Sequence, residues 1–274
     1  SGNVELMATA GALLIDAAVT TTAGTATLTA GTTITSTAAG TITTTGENAA
    51  DQGTAGGAVL LHSTGAGAIT LLGDITASGG NTTAGTNDGG DGGVITVRND
   101  SGSILIDDVT ATGGTSAGGT AGADGTIQLS ATTTIAQQAA TDITAADGNL
   151  KLVSTGGDVT LNNVTNTVAI VAADLTGASS LSYTDADGLS IGMIAQAGTG
   201  NAQLAAETGI VATGADETVT VTSLTGQLTV DDVITTTSGN VELMATAGNV
   251  ILTAATTAAG DDVTINSAGA IDGA

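Results

Sequence analysis

The sequence predicts an all-β chain wound as a parallel β-helix, a solenoid with about three strands per coil. Residues 1–11, Ser-Gly-Asn-Val-Glu-Leu-Met-Ala-Thr-Ala-Gly, recur letter for letter at 238–248, an offset of 237 residues. Short runs of Val, Ile, Leu and Thr alternate apolar with polar at period two, and no window carries the i, i+3, i+4 stripe of a helix. The runs come in a fixed order of three, with Gly, Asn or Asp at the corners. Units of this kind cannot bury an apolar face alone and must stack on their neighbours.

The first strand of a unit is the longest, as in Val4-Glu5-Leu6, Val59-Leu60-Leu61, Ile95-Thr96-Val97, Leu150-Lys151-Leu152 and Val219-Thr220-Val221. A second follows a glycine-led corner at Ile69-Thr70-Leu71, Ile104-Leu105-Ile106, Val159-Thr160-Leu161 and Leu228-Thr229-Val230. A third follows an Asp or Asn, at Ile75-Thr76, Val109-Thr110, Asn163-Val164-Thr165 and Asp232-Val233-Ile234-Thr235. β-Branched residues fit the pleated strand, and Asn, Asp and Gly tolerate the corner geometry. Alternation sends Val4, Leu6, Leu13, Ile15, Val59, Leu61, Ile69, Leu71 and their counterparts in later units into the core. A sandwich of hairpins would carry Asn-Gly turns and would not keep this order. Residues 1–237 form one long repeat, and 238–274 open the next copy in the same solenoid. At ~4.8 Å per coil, roughly nine coils per repeat give a rod segment on the order of 45 Å long. Neither end reads as a cap. Open strand edges pair with further chain, so continuation or end-to-end stacking on a copy is expected.

There is no Cys, Pro, Trp or Phe, Tyr183 is the sole aromatic, and Gly occurs 42 times. This suits a narrow interior of thin aliphatic layers, not a globule anchored by aromatics. With 2 basic and 26 acidic residues the formal charge is −24, which excludes nucleic acid and anionic membrane surfaces as partners. No apolar run approaches the ~20 residues of a membrane helix. No basic, then apolar, signal segment opens the chain at Ser1.

Three segments, Gly46 to Gly57, Gly79 to Gly93 and Gly113 to Gly125, leave from the same corner after the third strand and should align as a lateral ridge. Insertions on one face of a solenoid form binding faces, here for a glycan or a cation, or are tolerated as filler. Carboxylates suit calcium, and Asp88, Asp91, Asp185 and Asp187 are the candidate ligands. Against this, Asp185-Ala186-Asp187-Gly188 is only part of an EF-hand loop, with Tyr183 and Ile194 where the first and twelfth ligands belong. Asp and Asn also sit at corners simply to bond backbone. An enzyme would have to work with one His, one Arg and one Lys. His62 adjoins Ser63, but strand neighbours point to opposite faces. Asp107, Asp108, Asp231 and Asp232 hold equivalent places in the pattern, while Arg98 and Lys151 lie in the first strand, away from them. The reading is that the chain is not an enzyme. Thr-rich runs at 25–29 and 41–45 raise ice binding, which needs an unbroken file of Thr, whereas residues 60–62, 152–154 and 232–234 lack it. Asn-x-Thr/Ser occurs at Asn81, Asn99 and Asn163, as chance allows in so Thr-rich a chain.

The coil Gly239-Asn240-Val241-Glu242-Leu243-Met244-Ala245-Thr246-Ala247-Gly248-Asn249-Val250-Ile251-Leu252 resembles the coils of bacterial surface proteins of the filamentous-haemagglutinin type. So do the stretches 75–80 with 92–97, and Asp185 to Gly192. The resemblance implies a very long, secreted, right-handed β-helix serving as an adhesin, a fibre or a cell-envelope layer. The expected function is therefore a structural shaft segment at the cell surface or outside the cell. Its expected partners are copies of itself, cell-surface glycans or other envelope components.

Overall fold

The computed structural model describes residues 2–177, 179–198, 203–259 and 261–273. Ser1, the first residue of the repeated undecapeptide, and Ala274 lie outside them. The described chain is all β and contains no helix long and apolar enough to cross a membrane. Its strands stack in long parallel sheets, as in a parallel β-solenoid.

The stacking resolves into three columns. The first runs from Val4–Ala8 through Ala26–Ala30, Val59–Ser63, Val94–Asn99 and Thr126–Ala131, and ends at Ile210–Ala212, Ile234–Thr236 and Thr256–Ala258. The second is the 10-stranded sheet, from Leu13–Ile15 through Ile69–Thr70 and Val159–Leu161 to Leu181–Asp185, Val219–Ser223, Val241–Ala245 and Val263–Ser267. The third runs from Val19–Thr22 through Ile42–Thr45, Ile75–Thr76 and Val109–Thr110 to Thr144 and Thr167; it resumes at Leu189–Ile191, which stacks beside that point on Ile170 and Val171, and continues through Leu228–Val230 and Val250–Leu252 to Ile271–Gly273. Two long strands, Ile143–Ser154 and Thr167–Leu175, pass from the third column to the first without a corner, which merges those columns into one 18-stranded sheet.

Within the stack each interior strand pairs with a strand before it and a strand after it, so like stacks on like. In the second column Ile34, Ile69, Ile104, Ile135, Val159 and Leu181 are successive register partners, all buried. The corners are tied along the same direction. The side-chain carbonyl or carboxylate oxygen of one corner accepts the backbone N–H of the next: Asn3 from Thr25, Asp108 from Asp142, Asp124 from Asp147, Asp158 from Ser180 and Asn240 from Asp262. Burial of each Val, Leu or Ile contributes on the order of 1.5–3 kcal/mol, and only neighbouring coils supply it.

Most of the expected core is buried, including Ile15, Val59, Leu61, Ile69 and Leu71. Val4, Leu6 and Leu13 are not. They belong to strands with one neighbour instead of two, and Leu6 is 36 % exposed, whereas the identical Leu243 is 0 % exposed between two strands. The third strand expected at Asn163-Val164-Thr165 is a turn with Val164 exposed, and the strand begins at Thr167. At 232–235 the strand is Ile234–Thr236, and Val233 faces solvent.

The two copies of the undecapeptide lie on different columns. Val4–Ala8 belongs to the first and Val241–Ala245 to the second; Leu13–Ile15 belongs to the second and Val250–Leu252 to the third. Both copies nonetheless step to the next coil identically, Val4 to Ala26 and Val241 to Val263, Leu13 to Ile34 and Val250 to Ile271. The change of column lies between Leu150-Lys151-Leu152, a first strand by sequence in the first column, and Val219-Thr220-Val221, a first strand by sequence in the second; between them Leu181–Asp185 stacks on Val159–Leu161, a second strand by sequence.

Truncating the same residue in the two copies should therefore give unequal costs. Leu243→Ala should lower stability by about 2–5 kcal/mol, and Leu6→Ala by less than about 1 kcal/mol. Denaturant melts of the two variants check this.

Candidate functional surfaces

The three glycine-rich segments at 46–57, 79–93 and 113–125 form stacked two-limbed fins at the corner between the third and first columns. Along the outgoing limbs, Gly46 and Ala49 donate to Ser78 and Asn81, and Gly79 and Thr82 donate to Thr112 and Thr115. Along the returning limbs, Gly53 and Gly56 donate to Asp88 and Asp91, and Gly89 and Gly92 to Thr120 and Ala123. Donors aimed at the neighbouring fin thus recur every three residues, the period of the polyproline II helix. Intervening donors tie one limb to the other, as from Gly90 to Gly80 and from Gly122 to Gly114, or cross between fins, as from Gly80 to Thr54 and from Gly114 to Gly90.

Space, not backbone angle, demands glycine here. Of the fin glycines only Gly85 has positive φ, at 75°. A Cβ on Gly90 would overlap the Thr54 carbonyl, one on Gly114 the Gly80 carbonyl, and one on Gly79 the Gly90 carbonyl. The ridge expected from sequence is present as a backbone-packed blade, not as loose loops.

Asp88 and Asp91 are exposed in this blade and serve as staples. Asp88 accepts from the Thr120 N–H at 2.8 Å and the Thr120 hydroxyl at 2.6 Å, which hold its carboxyl below the usual range. Asp91 accepts from the Ala123 N–H at 2.9 Å. Asp185 and Asp187 lie away from the fins, at the end of a second-column strand. Asp185 is buried and accepts from the Tyr183 hydroxyl at 2.8 Å, the Val168 N–H at 3.0 Å and the Asp187 N–H at 3.2 Å. Burial, reinforced by the Asp187 carboxylate, pushes its pKa up to about 7 against the pull of Tyr183 and Val168.

The carboxylates brought together are others. Asp74, Asp107 and Asp108 place oxygens within 4.8 Å of one another at the corner between the second and third columns, three hard donors of the type calcium takes. Burial and repulsion from Asp108 and Asp74 raise the Asp107 carboxyl. Asp231 and Asp232 do not join them. They fall between Leu228–Val230 and Ile234–Thr236, at the corner between the third and first columns, because the change of column intervenes. The alignment of these four acids expected from sequence is thereby overturned.

The His, the Arg and the Lys share the outer face of the first column. His62 Nε2 lies 2.9 Å from Asp100, and Arg98 Nε donates to Asp100 at 2.6 Å. Burial opposes the charge of Asp100, yet its bonds to His62 and Arg98 outweigh this and hold its carboxyl below the usual range. No triad forms, since Ser63 points into the core and donates to the Thr32 carbonyl. Lys151 lies in the first strand, as expected, and is buried by an excursion between Ile191 and Ile210. There Met193–Ile194 pairs antiparallel with Glu207–Thr208. Lys151 Nζ donates to the carbonyls of Ala195 at 3.1 Å and Ala205 at 2.6 Å, and Gln128 donates to that of Ala197 at 2.9 Å. Burial lowers the Lys151 pKa, opposed by the charge of Glu207.

A file of threonine does exist, on the third column. Thr20, Thr43, Thr76, Thr110, Thr144 and Thr167 are successive register partners. A second row beside it holds Thr22 and Thr45, then Ser78 and Thr112 with hydroxyls 3.0 Å apart. The segments expected to break the file lie elsewhere, in the first column or at a corner. Of the three sequons, Asn99 and Asn163 donate their amides to backbone carbonyls inside the fold, and Asn81 is exposed on a fin.

Gly90→Ala should loosen the fins by about 1–3 kcal/mol, since overpacking there meets backbone, while Gly11→Ala, in open space, should be neutral. Hydrogen exchange over 46–57, 79–93 and 113–125 reads the difference. Asp185 holds in the folded state a proton that an ordinary carboxyl, at 3.8, has released. Its stabilising contribution is full below that value and is lost as pH rises through about 7. The melting temperature should fall between pH 5 and pH 8, and Asp185→Asn should fall less over that range. Comparison with protein-family models, with curated proteins and with solved structures finds no match.

Proposed function

We propose that the chain is a shaft segment of a long extracellular β-helical fibre or adhesin. In this reading the winding is right-handed, with roughly nine coils per 237-residue repeat, and residues 238–274 open the next copy. One observation carries it. The same undecapeptide has a strand edge open to solvent at one end of the rod and a partner on both edges where it recurs. Leu6 and Leu243 belong to one design, and the design is that of an interior coil. In this reading a coil of another copy would stack on Val4–Ala8 as Val219–Ser223 stacks on Val241–Ala245. The acidic corners keep the shaft in solution, and the fins give it a stiff lateral ridge.

The test is to place residues 206–237 ahead of residue 1, which reproduces the natural junction between Thr237 and Ser238. Amides of Val4–Ala8 should gain protection from exchange, and the particle should lengthen without widening in small-angle scattering. Unchanged protection, or a round particle, would sink the reading.

The threonine file supports a second reading, a water-ordering face that binds ice. Thr76→Tyr with Thr110→Tyr would then abolish thermal hysteresis while leaving the melting temperature within about 2 °C, as for surface changes. A parent chain with no hysteresis would end that reading.

A further inference from the structure

We infer that one 237-residue repeat advances the chain by a whole number of turns plus one column, so that the fins of a tandem array wind around the shaft instead of running along one side. This rests on the shaft reading above, and it adds an azimuth that the sequence repeat does not reveal.

The inference follows from where equivalent residues stand. Glu5 lies on the outer face of the first column and Glu242, its counterpart, on the outer face of the second. Leu14 lies on the second column and Ile251 on the third; Thr20 lies on the third and Thr257 on the first. All three pairs move by one column in the direction the chain travels. The coils at the two places are otherwise built alike, with the same steps to the next strand. The shift is therefore a rotation of the whole coil and not a local misfit.

Its origin is local. Up to Leu152 each long first strand sits in the first column; Val219-Thr220-Val221, the next one read from sequence, sits in the second. Between them, the turn at 163–166 replaces the expected third strand, and Thr167–Leu175 runs as one strand from the third column into the first, with a register shift between Ala145 and Asn149 beneath it and Leu189–Ile191 stacked on its Ile170 and Val171. That stretch uses one more face than the pattern allots to it. Asn166 fixes the turn from inside: its carbonyl oxygen accepts from Ile143 N–H at 3.0 Å and from Gln137 Nε2 at 2.7 Å, and its amide donates to the carbonyl of Leu161 at 3.1 Å. Every copy that contains this turn adds one column. The fins stand at the corner between the third and first columns in this copy; they would stand between the first and second in the next, and between the second and third in the one after. Every third repeat would present its fins on the original side.

Two measurements test this. The chain has no Cys, so cysteines introduced in pairs label cleanly. Thr160 and Ser182 are outward-facing register partners only because the column changes; Ser182 and Thr220 are partners within the second column. Nitroxides at Thr160→Cys and Ser182→Cys should broaden each other strongly, as should those at Ser182→Cys and Thr220→Cys, each pair being on strands about 4.8 Å apart. Loss of broadening in the first pair alone would overturn the rotation and leave the solenoid standing; loss in both would overturn the solenoid. In a chain of three consecutive 237-residue repeats, gold attached at Ala84→Cys on each fin should appear by electron microscopy on different sides of one rod. Three particles along one side would refute the winding, and a particle that is not a rod would refute the shaft reading itself.

Discussion

The backbone hydrogen bond from one coil to the next governs everything else in this molecule. Because those bonds are parallel and in register, each residue sits about 4.8 Å above its partner, and whatever one coil places at a position the next must tolerate there. Isoleucine stacks on isoleucine in the second column, threonine on threonine along the third, and in the fins glycine packs on backbone without room for a Cβ. No layer has a core of its own. Stability is a sum over neighbours, so the terminal coils differ from the interior ones even where their sequences are identical.

The same constraint explains how so acidic a chain stacks at all. A charge of −24 with 2 basic residues would press like charges together at every corner. Many of these carboxylates are instead anchored as acceptors for the N–H of the following coil, as at Asp91, Asp108, Asp124 and Asp158. A carboxylate is a stronger acceptor than a neutral oxygen, and a corner N–H without a strand partner needs one. At Asp74, Asp107 and Asp108 the arrangement leaves like charges adjacent, and burial together with their repulsion raises Asp107.

Sequence made the strands, their order and most of the core legible, because period-two alternation records which side chains turn inward. It could not reveal which column a strand joins. That depends on how many faces the chain crosses between strands, and Asn163-Val164-Thr165 has the composition of a strand while forming a turn. The alignment of Asp107 and Asp108 with Asp231 and Asp232 failed for this reason, and the threonine file went unseen because it belongs to one column and not to one run of sequence. Lys151 was unreadable on different grounds. Its own strand gives it an open face, and the carbonyls that bury it come from residues 195 and 205, far along the chain. The fins were legible as glycine-rich insertions at one corner, but their order was not, since a three-residue period written in glycine leaves no side-chain pattern to read.

The change of column also bears on which surface matters. A face that orders water must be a single plane, and within one repeat the third column offers that plane from Thr20 to Thr167. The counterpart of Thr20 in the next copy, Thr257, has moved to the first column. Repeats joined in this way would cut the hydroxyl file into short patches facing three directions, and a repeat of whole turns would have kept it continuous. In the proposed shaft the same rotation would spread the fins around its circumference. On the proposed rotation, the turn at residues 163–166 would suit the geometry of the repeat to a shaft and not to a planar face.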